Sequence, residues 1–258
     1  MRILLPFFLF ALIVGRLDRH FFKENGSFCP SHILPKWSQL PTIPTTAPPS
    51  PLLDQPFTYI GKGLEYFVFE SQDEKYVLKL FRLPKNLRRY SLHRGKTPHP
   101  KLNRRFKSVQ LCAEQLPRET QLLYAHLSPT DTLPPIQLID KLGHTWSLPL
   151  DQLPFLIQAK GTPYFSYFDK LSNPKPLIRD TIQLFKTLYA KGISDQDPIF
   201  EKNYGIHNGK PFIMDIGGLQ KTTPLPPEEK YLRNMTQSLF TKLEHHKLHS
   251  YYLQQLKQ

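Results

Sequence analysis

The chain has 258 residues, 40% of them hydrophobic and 18 of them Phe, enough to bury one substantial core or two lobes that share a cleft, and too many for a chain disordered throughout. A formal charge of +13 makes anions the natural neighbours, whether nucleotide, nucleic acid, phospholipid or acidic protein, without choosing among them. The two cysteines, Cys29 and Cys112, with no C-x-x-C and no Cys/His cluster at ligand spacing, support neither a disulfide scaffold nor a zinc module and read as free thiols.

The chain opens on an apolar run, Ile3 to Val14, followed by Arg16, Arg19 and Lys23. The run is short for a spanning helix, which needs about 17 to 25 residues, and no Ala-x-Ala cleavage site follows it. Residues 1–28 therefore read as a signal or membrane-anchor segment. If it stays attached, the positive flank favours a folded part on the cytoplasmic side; if it is cleaved, the protein is exported. Residues 29–56 carry eight prolines, from Pro30 to Pro56, and read as an extended linker.

Three consecutive strands are predicted next, Phe57 to Lys62, Leu64 to Glu70 and Tyr76 to Arg82, each rich in aromatic or β-branched residues. From Lys75 to Ala113 there is no Asp or Glu, while ten Lys and Arg accumulate between Arg82 and Lys107. This basic stretch is expected to meet an anionic membrane surface together with the apolar N-terminus. Nucleic acid is not expected, because no recognisable binding motif or repeated aromatic pattern accompanies the charge. A helix is predicted from about Asn103, with Phe106, Val109, Ala113, Leu116, Thr120, Leu123 and Leu127 at steps of three and four, kinked or divided at Pro117. Strands follow at Ile136 to Lys141 and Phe155 to Gln158, a helix at Lys175 to Ala190 ending before Gly192, and helical composition from Glu228 onward.

Several features point to chemistry. Gly61 and Gly63 lie between the first two strands, where a tight turn can offer backbone N–H groups to phosphates. Lys79 lies mid-strand among Val77, Leu78, Leu80 and Phe81, where an unpaired ammonium is costly to desolvate and needs an anion. On a helical wheel Glu119 falls at the edge of the apolar stripe and Glu114 points away, so Glu119 is the carboxylate expected to reach Lys79. Farther on, Asp195, Asp197 and Asn203 occupy one loop, and Asp215 ends the hydrophobic strand Phe212-Ile213-Met214 before Gly217-Gly218. A loop carboxylate, an Asn and a strand-ending Asp supply a base and two hard oxygen ligands of the kind Mg²⁺ takes.

In this order the residues resemble a divergent bacterial member of the protein-kinase-like superfamily, over about Phe57 to Gly218. The resemblance implies an α+β, bilobal fold: an antiparallel-sheet N-lobe with one main helix (57–158) and a reduced, mostly helical C-lobe (159–258). It implies ATP and Mg²⁺ as cofactors, Gly61 and Gly63 in the Gly-rich loop, Lys79 on the phosphates and Glu119 as the helix-C glutamate. Gln158, Ala159 and Lys160 would belong to the hinge that holds the adenine, Asp197 would be the catalytic-loop aspartate, and Asn203 and Asp215 the metal ligands. The departures are specific: the Asp197-to-Asn203 step is six where H-R-D-x-x-x-x-N has five, which leaves Asp195 open as the base, although Lys191-Gly192-Ile193 favours Asp197. Tyr66 stands where a third loop glycine is usual, Ile216-Gly217 replace Phe-Gly, and no A-P-E follows. The short C-terminal part favours a small-molecule, lipid or sugar hydroxyl over a folded protein as phosphate acceptor. The rival expectation is a membrane-tethered pseudokinase that binds nucleotide or acts as a scaffold.

Overall fold

A computed structural model describes residues 14, 16–30, 33, 40, 43, 52–83 and 99–257. Residues 1–13, which hold most of the apolar run, and 84–98, the middle of the basic stretch, lie outside them.

The chain makes a mixed α/β molecule around a curled seven-stranded sheet, an architecture compatible with the kinase-like fold that the sequence resembles. Strands β1 (Phe57–Lys62), β2 (Tyr66–Ser71) and β3 (Tyr76–Phe81) form the predicted antiparallel meander. The second starts at Tyr66 rather than Leu64, because Gly63 N–H donates to Tyr66 O at 2.9 Å and closes the turn there. Helix α1 (Pro100–Gln115) stops at Leu116, and a single turn, α2 (Pro117–Thr120), follows with proline in its first position.

The predicted continuation of this helix to Leu127 is a strand instead, β4 (Leu122–His126). Gln121 adopts a left-handed conformation, with φ 51°, which ends the turn; beyond it Leu122, Tyr124 and His126 are buried with a period of two. The apolar residues fit either period, and the backbone at Gln121 decides. Next come β5 (Pro135–Ile139), β6 (Thr145–Pro149) and β7 (Phe155–Ala159). Strand β6, not anticipated from the sequence, pairs with β5 as a hairpin. The sheet order is β4-β7-β3-β2-β1-β5-β6, and β1 and β5 run parallel.

After β8 (Thr162–Pro163) the chain turns helical: α3 (Tyr164–Phe168) and α4 (Lys175–Ala190), the latter with the bounds expected from its pattern. Short elements then carry the loop residues: β9 (Ile193–Asp195), α5 (Phe200–Asn203), β10 (Tyr204–His207), β11 (Lys210–Ile213) and β12 (Leu219–Lys221). Helices α6 (Glu228–Met235), α7 (Gln237–Leu243) and α8 (His249–Lys257) complete the chain.

Strand alternation gives the sheet two faces and the protein two cores. The outer face presents Phe67, Phe69, Leu78, Leu80 and Ile157 to one cluster, which also takes in Phe28, Ile33, Leu52 and Leu53. The inner face presents Tyr66, Phe81 and Leu156 to the larger cluster formed by α1, α4 and the C-terminal helices. Leu40 joins that larger core, and Ile43 N–H donates to Leu127 O at 3.2 Å. Ile33, Leu40, Leu52 and Leu53 of the proline-rich stretch are thus packed into the two cores. Among the described residues no helix is long and apolar enough to cross a membrane.

Candidate functional site

The inner face of the sheet, the end of α1 and the β9–β12 segment converge on one polar cluster. Lys79 lies on β3 between Val68 and Leu156 of the neighbouring strands, and its Nζ donates to Met214 O at 2.6 Å. Burial pushes its ammonium down to about 8, against the pull of the Asp215 carboxylate nearby.

The expected Lys79–Glu119 pair does not form. Glu119 sits on α2, beyond the break at Leu116, and its carboxylate accepts from Lys191 Nζ at 3.0 Å. Lys191 Nζ also donates to Gln115 O at 2.6 Å, so this ammonium ties the α1–α2 junction to the end of α4. The wheel placed Glu119 on a helix that the chain interrupts before reaching it. Glu114 is elsewhere, accepting from Gln110 Nε2 at 2.8 Å.

Asn203 and Asp215 are brought together by the backbone. The carbonyl of Asn203 accepts from the N–H groups of both Met214, at 2.8 Å, and Asp215, at 3.1 Å. The Asn203 amide donates to Asp197 O at 2.6 Å and to Asp197 Oδ2 at 3.1 Å, which turns its own Oδ1 away from Asp197. One carboxylate oxygen of Asp215 accepts from Gly217 N–H at 3.2 Å. These two side-chain oxygens suit a hard cation that completes its shell with phosphate and water, as Mg²⁺ does. Among the described residues no group of three or more His, Cys, Asp or Glu converges to form an all-protein metal cage.

Asp195 and Asp197 occupy different environments. Asp195 is buried and accepts from Tyr204 OH at 2.5 Å and from Asp197 N–H at 2.9 Å. Its carboxyl is pushed up by burial, partly offset by those two donors. A Cβ on Gly218 would come within 2.7 Å of Asp195 Oδ1, so the strand pair β9–β12 closes tightly over this carboxylate. Asp197, by contrast, is exposed at the mouth of the loop.

The hinge residues also differ from one another. Gln158 is 1% exposed, on the same face as Lys79, and its Nε2 donates to Thr120 O at 2.6 Å and Ile213 O at 3.2 Å. Ala159 N–H is bonded to Gln121 O. The Lys160 ammonium pairs with Glu70 and Glu74 of the β2–β3 hairpin. Lys160 therefore meets the sheet, and its charge is spent there. Gly61 and Gly63 face open space, and the Gly63 N–H is engaged within the hairpin turn.

Two further residues enter the cluster that the sequence reading did not single out as site residues. Glu65, in the turn after Gly63, forms an ion pair with Arg105 Nε at 2.8 Å, and a Cβ on Gly217 would collide with its carboxylate. Ser108 Oγ donates to Ile216 O. Together these contacts tie the hairpin turn and α1 to the segment after Asp215. The signal was present: Arg105 is i+3 from Leu102 and i−4 from Val109, a charged residue within the apolar stripe, which calls for a buried partner. Arg82 and Arg105, from the basic stretch, are thereby engaged internally; Arg82 donates to Gly63 O and lies over the Phe67 ring.

No protein-family model and no curated protein matches the chain. Among solved structures it is similar to the bifunctional kinase-methyltransferase WbdD, at 14% identity and a TM-score of 0.39, covering 70% of this chain and 34% of that one. WbdD with the kinase inhibitor LY294002 aligns at 14% identity and a TM-score of 0.38, over 72% of this chain and 37% of that chain. A 2.2 Å crystal structure of WbdD aligns at 15% and 0.37, over 70% and 35%. This chain thus spans about a third of the length of the proteins it matches, and a likeness at this level assigns no activity to it.

Proposed function

We propose that this protein is an ATP- and Mg²⁺-dependent phosphotransferase with a bilobal kinase-like fold, acting on the hydroxyl of a small molecule, lipid or sugar. The observation that carries the reading is the double hydrogen bond from the Met214 and Asp215 N–H groups to the Asn203 carbonyl, with Lys79 fastened to Met214 O. It supports the reading because it ties the backbones of Asn203 and Asp215 and the Lys79 ammonium into a single hydrogen-bonded knot.

In this reading Asp215 and Asn203 hold Mg²⁺, which neutralises charge on the phosphates. Lys79 exchanges the Met214 carbonyl for a phosphate oxygen, a stronger acceptor for an ammonium than a neutral carbonyl. Asp197 orients the acceptor hydroxyl and takes its proton, while the Asn203 amide at Asp197 Oδ2 fixes that carboxylate's direction. Asp195, with both oxygens engaged, serves the loop's structure. Membrane attachment through residues 1–28 and the stretch Arg82 to Lys107 belongs to the same proposal; vesicle binding that requires anionic lipid and falls with salt tests it.

A second reading, a nucleotide-binding pseudokinase, is favoured by one observation: Lys79 meets a backbone carbonyl and no helix carboxylate. Titration of Mg·ATP, followed by single-turnover assays with hydroxyl acceptors, separates the two. Asp215→Ala should abolish Mg²⁺-dependent nucleotide binding, and Asp197→Asn should retain binding and lose transfer. Wild-type affinity in Asp215→Ala would overturn the metal assignment. Full turnover in Asp197→Asn with loss in Asp195→Asn would move the base to Asp195.

A further inference from the structure

Tyr66 stands where the turn after Gly63 re-enters the sheet, opposite Phe81 on the inner face, with its ring centroid 4.9 Å from that of Phe81. The residue is 4% exposed, and its hydroxyl has no hydrogen-bond partner among the described residues. A buried hydroxyl left in this way lowers the stability of the empty protein, because the water it gave up on folding is not replaced. Packing alone does not call for it: a Phe ring would fill the same space against Phe81 without the loss.

The Lys79 ammonium lies 6.0 Å from the ring centroid, and the carboxylates of Asp215 and Glu65, the guanidinium of Arg105 and the thiol of Cys112 act on the hydroxyl electrostatically. A phenol carries its proton at neutral pH, so the oxygen can donate. Glu65 is already paired with Arg105, which offsets its repulsion of a phosphate. What remains beside Asp215 is a neutral donor and a cation, Tyr66 and Lys79. Both suit phosphate oxygens.

Resting on the phosphotransferase reading, we propose that the Tyr66 hydroxyl is a donor reserved for the ligand: when Asp215 holds the metal–nucleotide unit, Tyr66 donates to one of its phosphate oxygens. The hydrogen bond missing in the empty protein is then made in the loaded one, and the destabilisation is relieved on binding. Tyr66 is thus a binding residue, in a place where the resemblance leads one to expect a glycine with no side chain at all.

The test compares full-length wild type with Tyr66→Phe by calorimetric titration of ADP with Mg²⁺, by the same titration with EDTA, and by thermal melting without ligand. Tyr66→Phe should bind Mg·ADP about tenfold more weakly, the loss expected for one hydrogen bond to a charged group. Its affinity for metal-free ADP should change less than about twofold, and its melting temperature should stay level or rise. Unchanged Mg·ADP affinity overturns the Tyr66 inference alone, and so does a lower melting temperature with equal losses in both titrations, which marks the hydroxyl as structural. Failure of the wild type to bind Mg·ADP overturns the nucleotide reading first and this inference with it.

Discussion

On the outer face of the sheet Phe67, Phe69, Leu78 and Leu80 meet Phe28 in an apolar core, the Phe28 ring lying 5.3 Å from Phe67 and 5.1 Å from Phe69, edge on. On the inner face of the same strands Tyr66, Lys79 and Gln158 stand among apolar neighbours. Here the Tyr66 hydroxyl, the Gln158 Oε1 and the nearby Glu65 Oε2 are buried without hydrogen-bond partners. Among the described residues the outer side leaves one such atom, Asn25 Oδ1 next to Phe28, whereas the three just named lie toward the inner face, a cost that a folded state tolerates only when something else requires it. The difference makes the inner face the more polar of the two.

The largest effect should come from breaking the stable face. Phe28→Ala removes edge-on contacts to two rings of β2 and leaves a cavity, a change that costs about 3–5 kcal/mol in a well-packed core. Chemical denaturation should show that loss, while Mg·ADP affinity of the folded fraction is preserved. A change below about 1 kcal/mol would mean that the segment carrying Phe28 only lies on the sheet and does not complete its core.

The inner face responds to pH through Lys79. Its folded-state ammonium titrates at about 8 against an ordinary 10.5, so between those values the unfolded chain binds more protons and stability rises with pH. Below pH 8 both states are charged, and the burial penalty is constant. The slope is at most roughly 1.4 kcal/mol per pH unit. Wild type should therefore gain on Lys79→Met between pH 8 and 10, where the variant has nothing to titrate at this site. Parallel stability curves for the two proteins would sink the buried-lysine account.

The three-strand meander and α4 were legible because their apolar residues keep one period and turn or cap residues bound them. The break at Leu116 was half legible: Pro117 announced a division, yet only the left-handed Gln121 turns residues 122–126 from helix into β4. The expected Lys79–Glu119 pair failed for that reason, since a wheel assumes one continuous helix. That Lys79 is buried and partnered could be read from its neighbours; that the partner is a carbonyl of the segment before Asp215 could not, because β3 and β11 meet only in the folded chain. The Glu65–Arg105 link was legible in principle, from a charge set within the stripe of α1.

Smaller effects should distinguish the two loop aspartates beneath the inner face. Asp195→Asn removes one of two acceptors that serve Tyr204 OH and Asp197 N–H, leaving a buried donor unpaired at about 1–3 kcal/mol. Asp197→Asn, at an exposed position, should change stability by less than about 0.5 kcal/mol. Equal losses measured by urea unfolding would contradict the division of the two residues into a structural and a functional carboxylate.

The smallest effect concerns Lys160, expected from the sequence to touch the nucleotide. Its ammonium is about one-third exposed, at 35%, and rests on Glu70 and Glu74 at the edge of the sheet. Such partly solvated pairs contribute about 0–1 kcal/mol, since water screens the attraction and holding a long side chain costs entropy. Lys160→Ala should therefore lower stability by less than about 1 kcal/mol, with the loss shrinking further in high salt. Because the charge is turned onto the β2–β3 hairpin, Mg·ADP affinity should match the wild type. A tenfold loss of affinity would show that the ammonium leaves Glu70 when nucleotide binds, and Lys160 would then join Lys79 and Tyr66 among the donors of the inner face.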